Sequence, residues 1–112
     1  MRIDRNETEI AAMAAFHRGE KDEGERIQAE FVTEFRREYA NKDHCPCQVA
    51  CRYHGNCKEC VAIHRAHQEH VPNCLHPLIN QKLKIISEMT EHTLAREIEP
   101  PEQMLCKPIP EE

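Results

Sequence analysis

The chain has 112 residues, a formal net charge of −5 and seven cysteines, but no tryptophan and only three phenylalanines and two tyrosines. A chain of this length and composition predicts one compact domain with a modest core, which a metal ion or a partner subunit would help to stabilise. Because the N-terminus is charged and no apolar run approaches the roughly 20 residues of a membrane span, we expect a cytoplasmic protein with no membrane partner.

Positive charge is concentrated in the middle of the chain. Residues 45–86 carry five Lys and Arg against two Asp and Glu, whereas the segments on either side are acidic. This small excess falls short of the dense basic face that nucleic acid normally requires, and bound thiolates would consume most of it. A nucleic-acid partner is therefore not expected.

Two helices are predicted in the N-terminal third. The first covers residues 6–17, with Asn6 as its N-cap, and Gly19 ends it. In the second, over residues 25–41, the large apolar side chains recur every fourth residue: Ile27, Phe31, Phe35 and Tyr39. Two amphipathic helices with a short linker favour an antiparallel hairpin, which we assign to residues 1–44.

The next predicted helix has a clear start signal. Asn56 can act as N-cap, and Glu59 three residues later can complete a capping box. We expect this helix to run to about Val71 and to stop at Pro72, because proline disfavours helix in the residue before it. A long last helix is expected after it.

The predicted fold class is mainly α. The hairpin is followed by an irregular Cys/His module with a short helix over residues 45–76, and by the last helix over residues 77–99. Residues 100–112 form a Pro-rich, acidic tail. The apolar stripes on two or three helices exceed what one small core needs, which favours a homodimer.

The strongest chemical signal is the segment CPCQVACRYHGNCKECVAIHRAHQEHVPNC, residues 45–74. It contains six of the seven cysteines and four of the eight histidines. In a reducing compartment, clustered thiols are better explained by metal binding or redox chemistry than by disulfides. Inert buried thiols are a poor explanation, because the segment offers few large apolar residues to bury them.

Cys57 and Cys60 form a C-x2-C pair, which is the most specific part of the pattern because two such cysteines direct their sulfurs at one centre. At the first helical position, the Cys57 thiol is expected to have a lowered pKa through the helix dipole. His64 and then His67 continue the same stripe, and His64 is in the best register to be a ligand. The predicted metal ligands are Cys45, Cys47, Cys51, Cys57, Cys60, His64 and Cys74. The other histidines are expected to be surface or hydrogen-bonded residues, and Cys106 a free thiol.

Zinc is the preferred metal, because it takes four nitrogen or sulfur ligands and tolerates irregular spacing. An iron–sulfur cluster is the alternative, although ferredoxin-type spacings do not occur. Redox chemistry, with a low-pKa Cys57 attacking and Cys60 resolving, lacks the strands of a thioredoxin-like fold. A catalytic zinc would need a carboxylate base such as Glu59 or Glu69, and the spacing does not demand an enzyme.

The same segment resembles the motif of a family of small, uncharacterised cysteine-rich cytosolic proteins of anaerobic bacteria and archaea. That motif runs C-x-C, then a cysteine, then H-G-x-C-x2-C-x3-H, and closes with P-x-C-L. The matching positions are Cys45, Cys47, Cys51, His54, Gly55, Cys57, Cys60, His64, Pro72, Cys74 and Leu75. The resemblance covers about a third of the chain and implies a metal-binding module without an established activity.

Together these observations predict a small zinc-binding protein with a structural or protein-interaction role. The metal would organise a surface that binds another protein or a second copy of the chain. The rival prediction is an iron–sulfur or thiol-based protein that senses metal or redox state.

Overall fold

The computed structural model describes residues 1–47, 51–93 and 108–111. These residues contain a short 3-10 helix, Asn73–Leu75, and four α-helices: α1, Glu7–His17; α2, Lys21–Glu38; α3, Cys57–His67; and α4, His76–Ser87. No strand occurs within the described ranges. The prediction of a mainly α fold is confirmed.

The chain falls into two compact units. The first takes in Met1–Asn41 with the described C-terminal residues 108–111, and the second takes in the described residues from Lys42 to Thr93. The first unit holds α1 and α2, and the second holds the cysteine segment with α3 and α4. Whether the chain behaves as one compact domain stays a prediction.

α1 begins and ends as predicted, through local hydrogen bonds. The Asn6 side chain accepts from the amides of Thr8 and Glu9 at 3.0 and 3.2 Å, which satisfies two N–H groups left unpaired at the helix start. At the other end, Gly19 has a φ of +81°, and the Glu20 amide donates to the Ala15 carbonyl at 2.9 Å. This is a Schellman motif, which turns the chain sharply toward α2.

α1 and α2 form the predicted hairpin, and their contact buries the core of the first unit. The buried apolar residues, Ala12, Ala15 and Phe16, all lie on α1. Gly24 is buried opposite them on α2. The Gln28 amide also bridges to the Glu9 carboxylate at 2.9 Å, so the helices are joined by a polar contact beside the apolar one.

α2 starts at Lys21, four residues before the predicted start, and Gly24 explains the difference. A Cβ on Gly24 would lie 2.9 Å from three carbons of the Phe16 ring. The glycine therefore allows close approach of the two helices, although glycine usually signals a turn. The predicted aromatic row continues along α2, with ring centroids 6.1 Å apart for Phe31 and Phe35 and 5.0 Å for Phe35 and Tyr39.

The described end of the tail contacts its own chain. The Arg36 guanidinium on α2 donates to the carbonyls of Pro110, at 2.7 Å, and Ile109, at 3.3 Å. Both bonds go to backbone oxygens, so they position the tail without depending on its side chains. Residues 100–107 of the predicted tail, including Cys106, lie outside the described residues.

α3 starts at the predicted residue, Cys57, but ends at His67, four residues before Val71. Gln68 adopts a left-handed conformation with a φ of +51°, which a helix cannot continue. The residues between Gln68 and Pro72 are not helical.

α4 is shorter than the predicted helix over residues 77–99. It ends at Ser87, whose hydroxyl donates to the Lys84 carbonyl at 2.7 Å and so competes for a backbone acceptor of the last turn. The following residues, up to residue 93, are turn and coil, and residues 94–99 lie outside the described part of the chain.

α4 leaves its apolar side chains accessible. Leu78, Ile79, Leu83 and Ile86 are between 41 and 57 % exposed. None of the described helices is long and apolar enough to cross a membrane.

Candidate metal centre

Asp43 ties the start of the cysteine segment to the start of α3. One carboxylate oxygen accepts from the Cys45 amide at 2.8 Å, and the other accepts from the Cys57 amide at 2.5 Å. The second bond satisfies one of the unpaired N–H groups of the helix N-terminus, where a negative charge is also favourable. A single exposed carboxylate therefore brings two predicted ligands, twelve residues apart in sequence, to the same place.

The start of α3 is fixed a second time by the predicted cap. The Asn56 side-chain oxygen accepts from the Glu59 amide at 3.1 Å, and the Glu59 carboxylate accepts from the Asn56 side-chain amide at 2.5 Å. The reciprocal pair resembles a capping box, except that the acid bonds to the side chain of the cap. The cap places Cys57 at the first helical position, as predicted.

The predicted low pKa of Cys57 is wrong. Burial, followed by the hydrogen bond and the negative charge of Asp43, raises the pKa of the Cys57 thiol to about 12. Desolvation and a neighbouring carboxylate both disfavour a thiolate, and here they outweigh the helix terminus. This weakens a mechanism in which Cys57 is the attacking thiolate of a redox pair.

The thiol with the lowered pKa is Cys45. Backbone hydrogen bonds from Gly55 and Cys47 stabilise its thiolate and hold its pKa below the usual value, and the side chains of Cys47 and Cys57 add to the effect. The turn before α3 therefore folds back so that Gly55 reaches the Cys45 sulfur.

The remaining cysteines belong to the same cluster. Burial raises the pKa of Cys60 first, and the charges of Cys51, Cys47 and Cys45 add to it. Burial likewise raises the pKa of Cys74, followed by the charges of Cys47 and Cys60. Because each thiolate raises the pKa of the next thiol, these cysteines lie close together. A bound cation would instead lower their pKa values. None of these six thiols is in a disulfide.

Two groups of three side chains bring their ligand atoms within 4.8 Å of one another: Asp43, His44 and Cys57, and His64, His67 and His70. Either group could hold a metal ion. Of the seven predicted ligands, Cys57 belongs to the first group and His64 to the second. The other five, Cys45, Cys47, Cys51, Cys60 and Cys74, belong to neither, so their ligand role stays a prediction.

The other four residues of these groups were not among the predicted ligands, although His67 was placed on the stripe of Cys57, Cys60 and His64; the four are Asp43, His44, His67 and His70. Asp43 and His44 directly precede the first cysteine, but no spacing rule singles them out. His67 and His70 had a visible signal, because with His64 they are spaced three residues apart. That spacing reads as one helical face only as far as His67, where α3 ends.

No protein-family model, curated protein or solved structure matches this chain. The functional argument therefore depends on the chain's own residues. Their donor set, thiols with imidazoles and one carboxylate, is chemically suited to zinc, which binds sulfur, nitrogen and oxygen ligands in structural sites.

Proposed function

We propose that this is a cytoplasmic zinc-binding protein in which the metal holds the Cys/His module together and organises a surface for a protein partner, most simply a second copy. The observation that carries the proposal is the small number of buried apolar residues in the described part of the second unit. Among the described residues, the buried apolar core of Ala12, Ala15 and Phe16 lies in the first unit, whereas the described part of the second unit buries only Pro72. A unit so poor in buried apolar area needs a cross-link, and reduced clustered thiols supply one through metal.

The proposed ligands are those predicted from the spacing: Cys45, Cys47, Cys51, Cys57, Cys60, His64 and Cys74. The mutual effects of the thiols on one another's pKa support their grouping. The six clustered cysteines are free thiols, which agrees with their availability for metal. The resemblance to cysteine-rich cytosolic proteins of anaerobes supports the same module by motif alone.

The interaction role is supported by α4. Ile79, Leu83 and Ile86 follow one another at helical spacing and are each at least 41 % exposed. A stripe of this kind on a short helix is costly to leave in water, and burial against a partner would recover about 25 cal/mol for each Å² covered.

Metal content tests the first part of the proposal. Protein purified without oxygen and without a metal-affinity tag should contain about one or two zinc ions per chain and show no visible absorption band. Cys57→Ser and Cys60→Ser should each lower the zinc content, whereas the matched variant Cys106→Ser should not. Iron with acid-labile sulfide would replace the zinc proposal by the iron–sulfur alternative. Free thiols without any metal would contradict both and favour a thiol-based redox function.

Molar mass in solution tests the second part. Light scattering should give a dimer for the wild-type chain and a monomer for Leu83→Glu and Ile86→Glu, because a charge on the stripe cannot be buried. The control Gln81→Glu adds the same charge to α4 outside the stripe and should stay dimeric. A wild-type monomer with unchanged zinc content would remove the second copy as the partner and leave the metal site intact.

A further inference from the structure

Three imidazole rings meet at the C-terminal end of α3. The ring centroids of His64 lie 5.0 Å from those of both His67 and His70, and His67 and His70 are 4.7 Å apart. Their ligand nitrogens all lie within 4.8 Å of one another. We call these three residues the histidine triad.

The end of the helix assembles the triad. His64 and His67 lie about one turn apart on α3, so their side chains share a face. The left-handed Gln68 then reverses the chain direction, and His70 returns to the same face although it is outside the helix. Three histidines are thus brought together by one helical turn and one backbone reversal, without any help from the cysteines.

One hydrogen bond of the triad leaves a nitrogen lone pair free for a metal, and a second would be replaced when the ion binds. The Nδ1 of His64 lies 2.6 Å from the Cys60 carbonyl, which can only accept, so Nδ1 carries the proton and Nε2 has a free lone pair. A backbone carbonyl in this position is the usual outer partner of a metal-bound histidine. The Nδ1 of His67 accepts from the Glu69 amide at 3.0 Å, and an ion bound there would replace one exposed hydrogen bond that water can satisfy.

We propose that the histidine triad binds a divalent ion of the zinc, nickel and cobalt class at a site separate from the thiolates. Imidazole nitrogens suit these ions, whereas magnesium and calcium take oxygen ligands. Nitrogen ligands of a tetrahedral zinc ion lie about 3.3 Å apart, so small side-chain rotations bring the three nitrogens into range.

Exposure sets the character of this site. His64 is half-buried, and His67 and His70 are exposed, so water completes the coordination. The site is therefore open and exchanges its ion with solvent, in contrast to a thiolate site that holds zinc as a cross-link. The proposal goes beyond the structural zinc role and shares one residue with it, since His64 lies 3.7 Å from the Cys60 sulfur. When His64 binds the ion of the triad, the structural zinc is held by four of the six clustered cysteines.

Cobalt(II) titration of the full-length, zinc-loaded chain tests the triad, after weakly held ions have been removed with citrate. One further cobalt ion per chain should bind and give visible ligand-field bands without the near-ultraviolet sulfur-to-cobalt charge-transfer band. His67→Ala and His70→Ala should each weaken cobalt binding at least about tenfold. The control His92→Ala removes an exposed histidine of the same unit and should bind cobalt as the wild type does.

Three outcomes would overturn the proposal that the histidine triad binds an ion. They are a wild-type chain that binds no further cobalt, triad variants that bind it as tightly as the wild type, and a charge-transfer band that places the ion among thiolates. Zinc content measured before the titration reports the thiolate site by itself. Failure of the structural zinc proposal is thereby distinguishable from failure of the triad.

Discussion

Asp43 holds the backbones of two clustered cysteines next to each other. Its two oxygens accept from the amides of Cys45 and Cys57, and its charge is one reason for the raised pKa of Cys57. In metal proteins, replacement of a residue that orients the ligands typically lowers metal affinity by about 10- to 100-fold. Asp43 therefore positions two cysteines of the candidate metal centre, besides being a candidate ligand in its group with His44 and Cys57.

Replacement of Asp43 should loosen zinc binding. Asp43→Asn keeps one acceptor oxygen and loses both the second acceptor and the charge, so one of the two amides loses its partner. We expect about tenfold weaker zinc affinity, measured by competition with a chromophoric chelator. Asp4→Asn, which changes an exposed acid of the other unit, should have no effect. Unchanged affinity in Asp43→Asn would show that the loop is held by the metal alone.

The cysteines of the reduced protein should differ in reactivity immediately after its metal has been removed, while α3 is still formed. At pH 8, iodoacetamide should modify Cys45 faster than Cys57, because the thiolate is the nucleophile and Cys57, with a pKa of about 12, is almost entirely protonated. The rate at Cys57 should rise steadily as the pH is raised toward 12, and peptide mass spectrometry resolves the two sites. In guanidinium chloride the two rates should converge, and faster folded-state modification of Cys57 would contradict the assigned environment.

At the scale of single residues, the sequence predicts those features that depend on neighbours close by in the chain. The caps at Asn6 and Asn56 were predictable because each bonds to an amide within three residues. The pKa of Cys57 was not, because burial and the distant Asp43 decide it, and neither is visible in the helix-start pattern.

At the scale of elements, the α1–α2 hairpin depends on one close approach. Gly24→Ala should lower the free energy of unfolding by about 1–3 kcal/mol, because Phe16 is 7 % exposed and its ring has little room to withdraw from the added methyl group. Chemical denaturation followed by circular dichroism measures the change. The double variant Phe16→Leu with Gly24→Ala should be less destabilised than the sum of the two single variants, and simple additivity would exclude the clash.

Gly19 tests the turn between the same helices by a different mechanism. Nothing lies within 4 Å of a Cβ at this position, so only the backbone conformation, with a φ of +81°, opposes a side chain. Gly19→Ala should cost about 1–2 kcal/mol of unfolding free energy. Gly19→Asn should cost less, since asparagine tolerates left-handed backbone, and equal losses for both would contradict this explanation.

Helix starts were predicted more accurately than helix ends. α1 and α3 start at residues marked by an asparagine cap, whereas α2 starts earlier than expected because tertiary packing accommodates Gly24 inside a helix. α3 and α4 end early through Gln68 and Ser87, neither of which is a recognised stop signal. Apolar periodicity extends past both ends, so periodicity alone overestimates helix length.

At the scale of the molecule, the two units differ in what stabilises them. The hairpin buries Ala12, Ala15 and Phe16, whereas the described part of the second unit buries only Pro72. Removal of metal with a strong chelator should therefore leave amide hydrogen exchange in α1 and α2 unchanged and accelerate it in α3 at least about tenfold. Mass spectrometry of exchanged peptides measures both in one experiment. Uniform acceleration, or none, would contradict a metal-dependent second unit.

The sequence predicted the kind of site, a metal centre, more completely than it predicted which residues form that site. Clustered cysteines with His64 pointed to metal chemistry, since spacing alone shows that thiols can converge. The histidine triad depends on a backbone reversal at Gln68, and the Asp43 bridge depends on loop closure, so neither follows from spacing.

The hydrogen bonds of Arg36 also bear on the order in which the chain can fold as it is synthesised. α1 and α2 are joined by residues 18–20 only, so their hairpin can form while later residues are still being added. The bond from Arg36 to Pro110 spans 74 positions and closes only when the tail has been made. The growing chain can therefore complete the hairpin before Cys45 leaves the ribosome, and the thiols first meet metal or oxidant while attached to a folded helical pair.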